Sequence, residues 1–350
     1  MTSKERSLRI LGRRSVDRLP LCDLVANDAV IEHYAGEKLT VENGRRVVVK
    51  ALDRFLDATR WIVNFPQEEG RSVQPDGSVI ERRRWTTWHS WHEGVTVEGA
   101  ARLMRAWTEE EAARDADKAA AEFDAWIGKL VELRDSFQRT FLFGNYWFKT
   151  GLMAYAQLGL ETFCYLAADY PGVLDDYLRI GNEARLKVIA KSRRAGDFPA
   201  IFMCEDIASK NGPLFSPAFL RKRFYPYLEA MVDAYHRHGV KFIYHSDGNL
   251  MPLLDDLAAT GIDGLNPLET IAGMDLKELR RRCPDLILLG GLDCSQLLPF
   301  GTPQEVRKAT LKAMEDAGPW YFPGSSSEIH DEVPLRNVQA MADAVHSFVP

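Results

Sequence analysis

The sequence predicts an α/β protein: one (β/α)8 TIM barrel with an inserted β-hairpin near residues 70–99. Three observations carry that prediction. About eight short apolar strands alternate with amphipathic helices along the chain. Nearly every predicted strand ends in a polar residue, as expected where one mouth of a barrel holds a polar site. No Gly-rich fingerprint follows the first strand and no Pro/Ser-rich linker divides the chain, so residues 1–350 read as a single domain.

Composition narrows the class. An apolar fraction of 46% over 350 residues allows a sizeable core. A net charge of -6 gives nucleic acid or an anionic membrane nothing global to hold. Cys22, Cys164, Cys204, Cys283 and Cys294 are odd in number and lack Cys-x-x-Cys spacing, a pattern that suits reduced thiols. No apolar run reaches the roughly 18 residues needed to span a bilayer. The segment MTSKERSLRILGRR lacks the apolar stretch of a signal peptide. The expectation is a cytoplasmic protein with a small-molecule substrate and neither nucleic-acid nor membrane partners.

In chain order, Ser3 to Gly12 reads as a short amphipathic helix and Leu21 to Val25 as the first strand, ending near Asn27 and Asp28. Val41 to Phe55 follows as a charged helix, then Thr59 to Val63 as a strand closing on Asn64. Asp76-Gly77 is a hairpin turn between two β-rich arms, Arg71 to Gln74 and Ser78 to Trp91. Ala112 to Leu133 is a long charged helix, and Thr140 to Phe143 a strand ending in Gly144-Asn145. Later strands fall at Pro199 to Cys204, Lys241 to Tyr244, Gly264 to Leu268, Leu286 to Leu289 and Trp320 to Phe322. Helices follow at Pro217 to His238, Asp275 to Arg282, Pro303 to Ala317 and Pro334 to Phe348. The triplets Arg82 to Arg84 and Arg280 to Arg282 read as solvated surface.

The strand ends supply the candidate site. His245 and Asp247, two apart, share one face of an extended chain. They suit a pair of metal ligands, or an acid/base imidazole with a carboxylate beside it. The plainer alternative is a hydrogen-bonded loop histidine with Asp247 serving the Gly248 turn. Glu205 and Asp206 end the neighbouring strand, where either can be a third ligand, a general base, an acceptor orienting His245, or an ion-pair partner of Lys210. Asn145, Asn266, Glu269 and Asp293 end other strands and are candidate binding residues. Tyr146, Trp147 and Trp88 are candidates for bracketing a flat ligand, or else belong to a satellite cluster under the insertion.

The segments CEDIASKNGPLFSP (Cys204 to Pro217), YHSDGNLMPLL (Tyr244 to Leu254), GIDGLNPLE with AGMDL (Gly261 to Leu276), LLGGLD (Leu288 to Asp293) and PLRNVQAM (Pro334 to Met341) resemble the uroporphyrinogen decarboxylase superfamily. The likeness covers roughly the last 150 residues well and the first half poorly, and it implies a (β/α)8 barrel with its site at the C-terminal mouth. Decarboxylases of the superfamily carry an Arg-rich loop after the first strand and an Asp near the end of the second. Here those places hold Val25 to Ala29, without arginine, and Asn64. The thiol-using methyltransferases hold zinc with His-x-Cys and a later Cys. Here His245 matches, Asp247 takes the cysteine place, and Ser325 to Ser327 stand where the late cysteine would fall.

The resemblance therefore implies a methyltransferase moving a methyl group between a corrinoid (cobalamin) and a thiol or folate acceptor, with a corrinoid carrier protein as a possible partner. His245, Glu205 and Asp247 would hold zinc or another divalent metal, or act as catalytic groups. Two alternatives stand beside it: a decarboxylase or lyase of a porphyrinogen-like or smaller carboxylate using His245 as acid, and a non-catalytic binder of a flat ligand.

Overall fold

A computed structural model describes residues 1–60, 63–74, 78–90, 95–145 and 148–349. Short parallel strands alternate with helices and fall into two arcs. One arc orders Cys22–Asp23, Ala58–Thr59 and Phe141–Leu142. The other orders Tyr321–Phe322, Ile287–Leu289, Gly264–Asn266, Lys241–His245, Ala200–Cys204 and Gly144–Asn145. Their apolar runs explain their place. Phe242, Ile243 and Tyr244 are fully buried, as near-continuous apolar strands covered on both faces should be. Phe143 meets Phe202 and Phe322 edge to face, at 5.1 and 5.4 Å between ring centroids.

The arcs meet at both edges: the stretch Phe141 to Asn145 runs from one into the other, its Phe143 N–H donating to the Thr59 carbonyl at 3.0 Å, and on the far side Cys22 N–H donates to the Pro323 carbonyl at 2.9 Å while Val25–Ala26 pairs in parallel with Ile329–His330. At the second junction a Cβ on Gly324 would overlap the Cys22 carbonyl, so only glycine lets the chains approach so closely. Among the described residues, no helix is long and apolar enough to cross a membrane.

Several elements differ from their sequence expectation. The second strand is Ala58–Thr59, so it ends on Arg60 rather than Asn64. The insertion is a three-stranded antiparallel meander, Gly70–Val73, Val79–Arg82 and Thr87–Ser90, rather than a two-armed hairpin. Its extra turn is anchored: Arg84 Nε and Trp85 Nε1 both donate to Asp28 Oδ1, at 2.8 and 2.9 Å. The Asp76-Gly77 turn lies outside the described residues. The charged helix expected over 112–133 is Ala116–Ser136, opened by Asp115, whose side chain accepts from the backbone of Asp117 and Lys118; a further helix, Val97–Ala113, precedes it in a stretch that carried no sequence expectation. The helix expected from Pro217 breaks at Phe224 into Pro217–Arg223 and Tyr225–His236, with Pro226 in the first turn of the second.

Arg280 is not solvated surface either. Its guanidinium reaches the carbonyls of Ala317, Cys283, Pro284, Leu286 and Trp320, joining the end of helix Leu276–Arg282 to the entries of two strands. Arg281 is exposed and bonds Glu278, one turn back. Asp23 is buried at the junction of the arcs, accepting from Ser325 N–H at 2.8 Å, Ser325 Oγ at 2.6 Å and Leu24 N–H at 2.9 Å. Burial outweighs those bonds and lifts its carboxyl to about 6 from 3.8.

Two outcomes follow. Arg280→Ala should lower the unfolding free energy by about 3 kcal/mol in urea titrations, since it strands several buried carbonyls, whereas Arg281→Ala should change it by less than about 0.5 kcal/mol. A folded-state pKa above the unfolded one means that the stabilisation from Asp23 is fully present below about pH 4 and is lost as pH rises through about 6. The stability of the wild type relative to Asp23→Asn should thus be about 2–3 kcal/mol greater at pH 4 than at pH 7.5. An unchanged difference would mean that the carboxyl is ionised throughout.

Candidate active site

The loops that follow the strands Ala200–Cys204, Lys241–His245 and Gly264–Asn266 are knitted together at one end of the sheet. Pairing register sets His245 between Cys204 and Asn266. Ser246 N–H donates to the Asn266 carbonyl at 3.0 Å, and its hydroxyl accepts from Ile207 N–H at 3.0 Å. Asp247 N–H donates to Asp206 Oδ1 at 3.0 Å. Gly248 turns the chain at φ +89°, and a Cβ there would lie 2.6 Å from the Ser209 backbone, so the turn requires glycine. Its N–H donates to Glu269 Oε2 at 2.8 Å.

Two groups meet the imidazole of His245 at Nδ1, the Asn266 amide and, at 3.3 Å, the Arg60 guanidinium. Nδ1 lies 2.7 Å from Asn266 Oδ1. The orientation of that amide is set in turn by Nδ2, which donates to the Leu289 carbonyl at 3.3 Å. Nδ1 therefore carries the proton, and the Nε2 lone pair faces Asp247 Oδ1 at 3.7 Å. Burial first, then the Arg60 cation, pushes the His245 pKa down to about 3, so the ring is neutral.

Asp247 is shifted the other way. Burial, with Asp206 and Glu269 nearby, raises its carboxyl to about 7. Although the side chain is half-exposed, its Oδ1 is buried and meets no hydrogen-bond donor among the described residues. Asp206, His245 and Asp247 offer ligand atoms that all lie within 4.8 Å of one another. One imidazole nitrogen and two carboxylates, with an amide holding the ring, make a chemically reasonable divalent-cation set. Thiolate is absent from it: burial lifts the Cys204 thiol to about 11.

Glu205 is not part of this group. It is fully buried and accepts from Thr150 N–H at 2.7 Å, Thr150 Oγ at 2.8 Å and Met153 N–H at 2.9 Å. Adjacent residues of an extended chain face opposite sides, and this pair divides: Glu205 holds the segment before helix Ala154–Leu158, while Asp206 meets His245.

The remaining candidates scatter. Asn266 orients His245, and Glu269 holds the Gly248 turn. Asp293 accepts from the backbone of Ser295, Gln296 and Leu297 and from the Ser295 hydroxyl, which makes it a turn-forming cap rather than a ligand-facing group. Asn145 is half-buried at the end of its strand. Trp88 is 63% exposed on the meander, where its ring packs too little to wall a pocket. Tyr146 and Trp147 lie outside the described residues.

Sequence reasoning missed two residues. Arg60 is 7% exposed; its Nη1 lies 3.2 Å from Asn266 Oδ1 and 3.3 Å from His245 Nδ1, and Nη2 donates to the Ser327 carbonyl at 2.6 Å. An arginine inside an apolar strand was the available signal. Cys294 is the other, with Sγ 3.4 Å from Ser326 Oγ: a thiol beside the serine run, supplied by a neighbouring loop that linear spacing does not reveal.

Over 135 residues, 39% of this chain and 38% of the relative, the sequence is 27% identical to the methylcobamide:CoM methyltransferase MtbA of Methanosarcina acetivorans. Over 134 residues, 37% of each chain, it is 31% identical to a uroporphyrinogen decarboxylase of Anaeromyxobacter sp.. Both matches thus span less than two fifths of the relative's own length. A methyltransferase from Methanosarcina mazei shares the fold over 99% of both chains, with a TM-score of 0.66 at 19% identity. Residues 151–348 match the uroporphyrinogen decarboxylase (URO-D) family. That match covers more than half of the chain, and the protein belongs to the URO-D family.

Proposed function

We propose that this protein is a metal-dependent methyltransferase of the URO-D family, transferring a methyl group between a corrinoid and a nucleophilic acceptor at the mouth built by Asp206, His245 and Asp247. The carrying observation is the convergence of those three donors with the Nε2 lone pair of His245 already exposed toward them. The methylcobamide:CoM methyltransferase among the relatives supports the methyl-transfer class and a corrinoid as methyl carrier; a corrinoid carrier protein would be the partner in this reading. The two arcs are taken as one closed eight-stranded barrel forming a single domain over residues 1–350. The junction bonds from Phe143 and Cys22 and the rings of Phe143, Phe202 and Phe322 support closure.

A zinc site of the His-x-Cys type does not fit this chain. Carboxylate stands where thiolate would, and hard oxygen donors favour a cation that tolerates oxygen over a thiolate-bound zinc. In this reading Asp206 and Asp247 supply anionic oxygens, His245 supplies a neutral nitrogen, and Asn266 keeps the ring from rotating. A bound divalent cation would stabilise the acceptor as an anion near neutral pH. The chain itself contributes orientation: the knitted loops hold the donors in place before substrate arrives.

The lyase alternative relies on His245 as an acid. Burial and the Arg60 cation keep that imidazole neutral, which leaves it without the proton such a step needs. The non-catalytic alternative relies on tryptophans around the mouth, and Trp88 is largely solvent-exposed.

Metal titration of the EDTA-treated protein with Mn2+, Co2+ and Zn2+ tests the proposal. One equivalent should bind, His245→Ala and Asp247→Asn should abolish stoichiometric binding, and Asn266→Ala should weaken it about 10–100-fold. Glu205→Gln should leave metal affinity intact and lower stability. The proposal fails if Glu205→Gln removes the metal while Asp206→Asn does not. Turnover is read from the visible spectrum of methylcobalamin mixed with a panel of thiols, and should require the metal-loaded protein.

A further inference from the structure

A second polar cavity, of about 400 Å3, lies between the helices Val97–Ala113 and Pro171–Lys191 and the segment that runs from Phe148 into helix Ala154–Leu158. Its charged wall groups are Arg114, Lys149, Arg185 and Glu111, so cations outnumber acids three to one among the described residues. Glu111 is paired with Arg114 at 3.2 Å. Phe148, Met153 and Ala154 supply an apolar face. Asp206, His245 and Asp247 take no part in this wall. The two sites are held apart by Glu205: it binds the segment 150–153 that floors the cavity, while Asp206 faces the other way, toward His245.

Arg185 is the wall group left incomplete. Its Nη1 is buried and meets no hydrogen-bond acceptor among the described residues. Burial raises the Tyr177 phenol and the guanidinium draws it back down, which puts Arg185 beside a neutral hydroxyl. The chain makes room for this arrangement. Gly181 sits inside helix Pro171–Lys191, one turn before Arg185, where glycine is unfavourable relative to alanine. A Cβ on Gly181 would lie 2.6 Å from Arg185 Nη1 and 3.2 Å from its Cζ, so the glycine lets the guanidinium fold against its own helix. Leaving a buried donor of a charged group without an acceptor is costly, and a bound partner is the usual remedy. Lys149, beside it on the wall, is exposed and bonds the Met153 sulfur at 3.1 Å, a weak acceptor.

We propose that this cavity is a second ligand site, separate from the mouth, for a small molecule that carries one oxyanion group, a carboxylate or a phosphate, on an apolar body. The Arg185 guanidinium and the Lys149 ammonium receive the oxyanion, and Arg114 stays with Glu111. The body lies against Phe148 and Met153. A volume of about 400 Å3 suits a ligand of that size and excludes a macromolecular partner. The site requires neither a metal nor a reaction at Asp206, His245 and Asp247.

Isothermal titration calorimetry with phenyl phosphate, benzoate, inorganic phosphate and acetate, against sodium chloride at matched ionic strength, tests it. Phenyl phosphate or benzoate should fill one saturable site, more tightly than inorganic phosphate or acetate, and the tighter of the two identifies the head group. Arg185→Met should weaken that binding about tenfold or more, and Arg185→Lys should keep part of it. Gly181→Ala pushes the guanidinium off the helix without removing its charge. It should weaken binding too, while its Tm is no lower than that of the wild type. If Arg185→Met does not fold, Gly181→Ala decides alone. His245→Ala and Arg60→Met should bind the probes as the wild type does, which places the site away from the mouth. The proposal is overturned if Gly181→Ala and a folded Arg185→Met both bind with full affinity, if His245→Ala or Arg60→Met abolishes the site, or if the wild type binds no probe more tightly than chloride.

Discussion

The 2.7 Å contact between His245 Nδ1 and Asn266 Oδ1 is the constraint on which the candidate site depends. It decides the tautomer, and through the tautomer it decides which nitrogen can donate a lone pair. It works because parallel pairing sets residues 245 and 266 opposite each other, and because Leu289 fixes the amide that His245 addresses. Three consecutive strands are therefore needed to orient a single ring. Second-sphere contacts of this kind matter nearly as much as the ligands themselves.

Buried charge in this protein follows two patterns. Structural charges are saturated: Asp57 accepts from Ser3, Arg6, Arg18 and the Leu21 backbone, and Glu205 from three donors around Thr150 and Met153. Charges at the mouth are left incomplete. Among the described residues, Asp247 Oδ1 meets no donor, its carboxyl being pushed toward neutrality, and the acceptors of Arg60 are neutral. A folded chain retains incompletely paired charges at a cost in stability, and they concentrate where a ligand completes them.

The sequence made the alternation of strands and helices legible, because runs such as Phe242 to Tyr244 and Ile201 to Met203 are long enough to announce buried strands. It also marked 245 and 247 correctly as neighbours, since a spacing of two needs no tertiary knowledge. It was blind where strands shrink to two residues. Ala58–Thr59 is too short to show a period, so its end was misplaced onto Asn64 and Arg60 went unnoticed. The choice between Glu205 and Asp206 turned on which side of the chain faces the mouth. Composition cannot decide that, because the Thr150 and Met153 amides that claim Glu205 lie some fifty residues earlier. Arg280 and Arg281 illustrate the same limit: adjacent and chemically identical, one braces five carbonyls and the other lies in solvent.

If the mouth holds a cation on carboxylate and imidazole, the chain has replaced the thiolate chemistry that its family resemblance implies with an oxygen-rich site. X-ray absorption at the metal edge of cobalt- or zinc-loaded protein addresses that substitution directly. The account predicts a first shell of nitrogen and oxygen at about 2.0–2.2 Å with the scattering of one imidazole. A sulfur shell at about 2.3 Å would contradict it and transfer the ligand role to a cysteine such as Cys204 or Cys294.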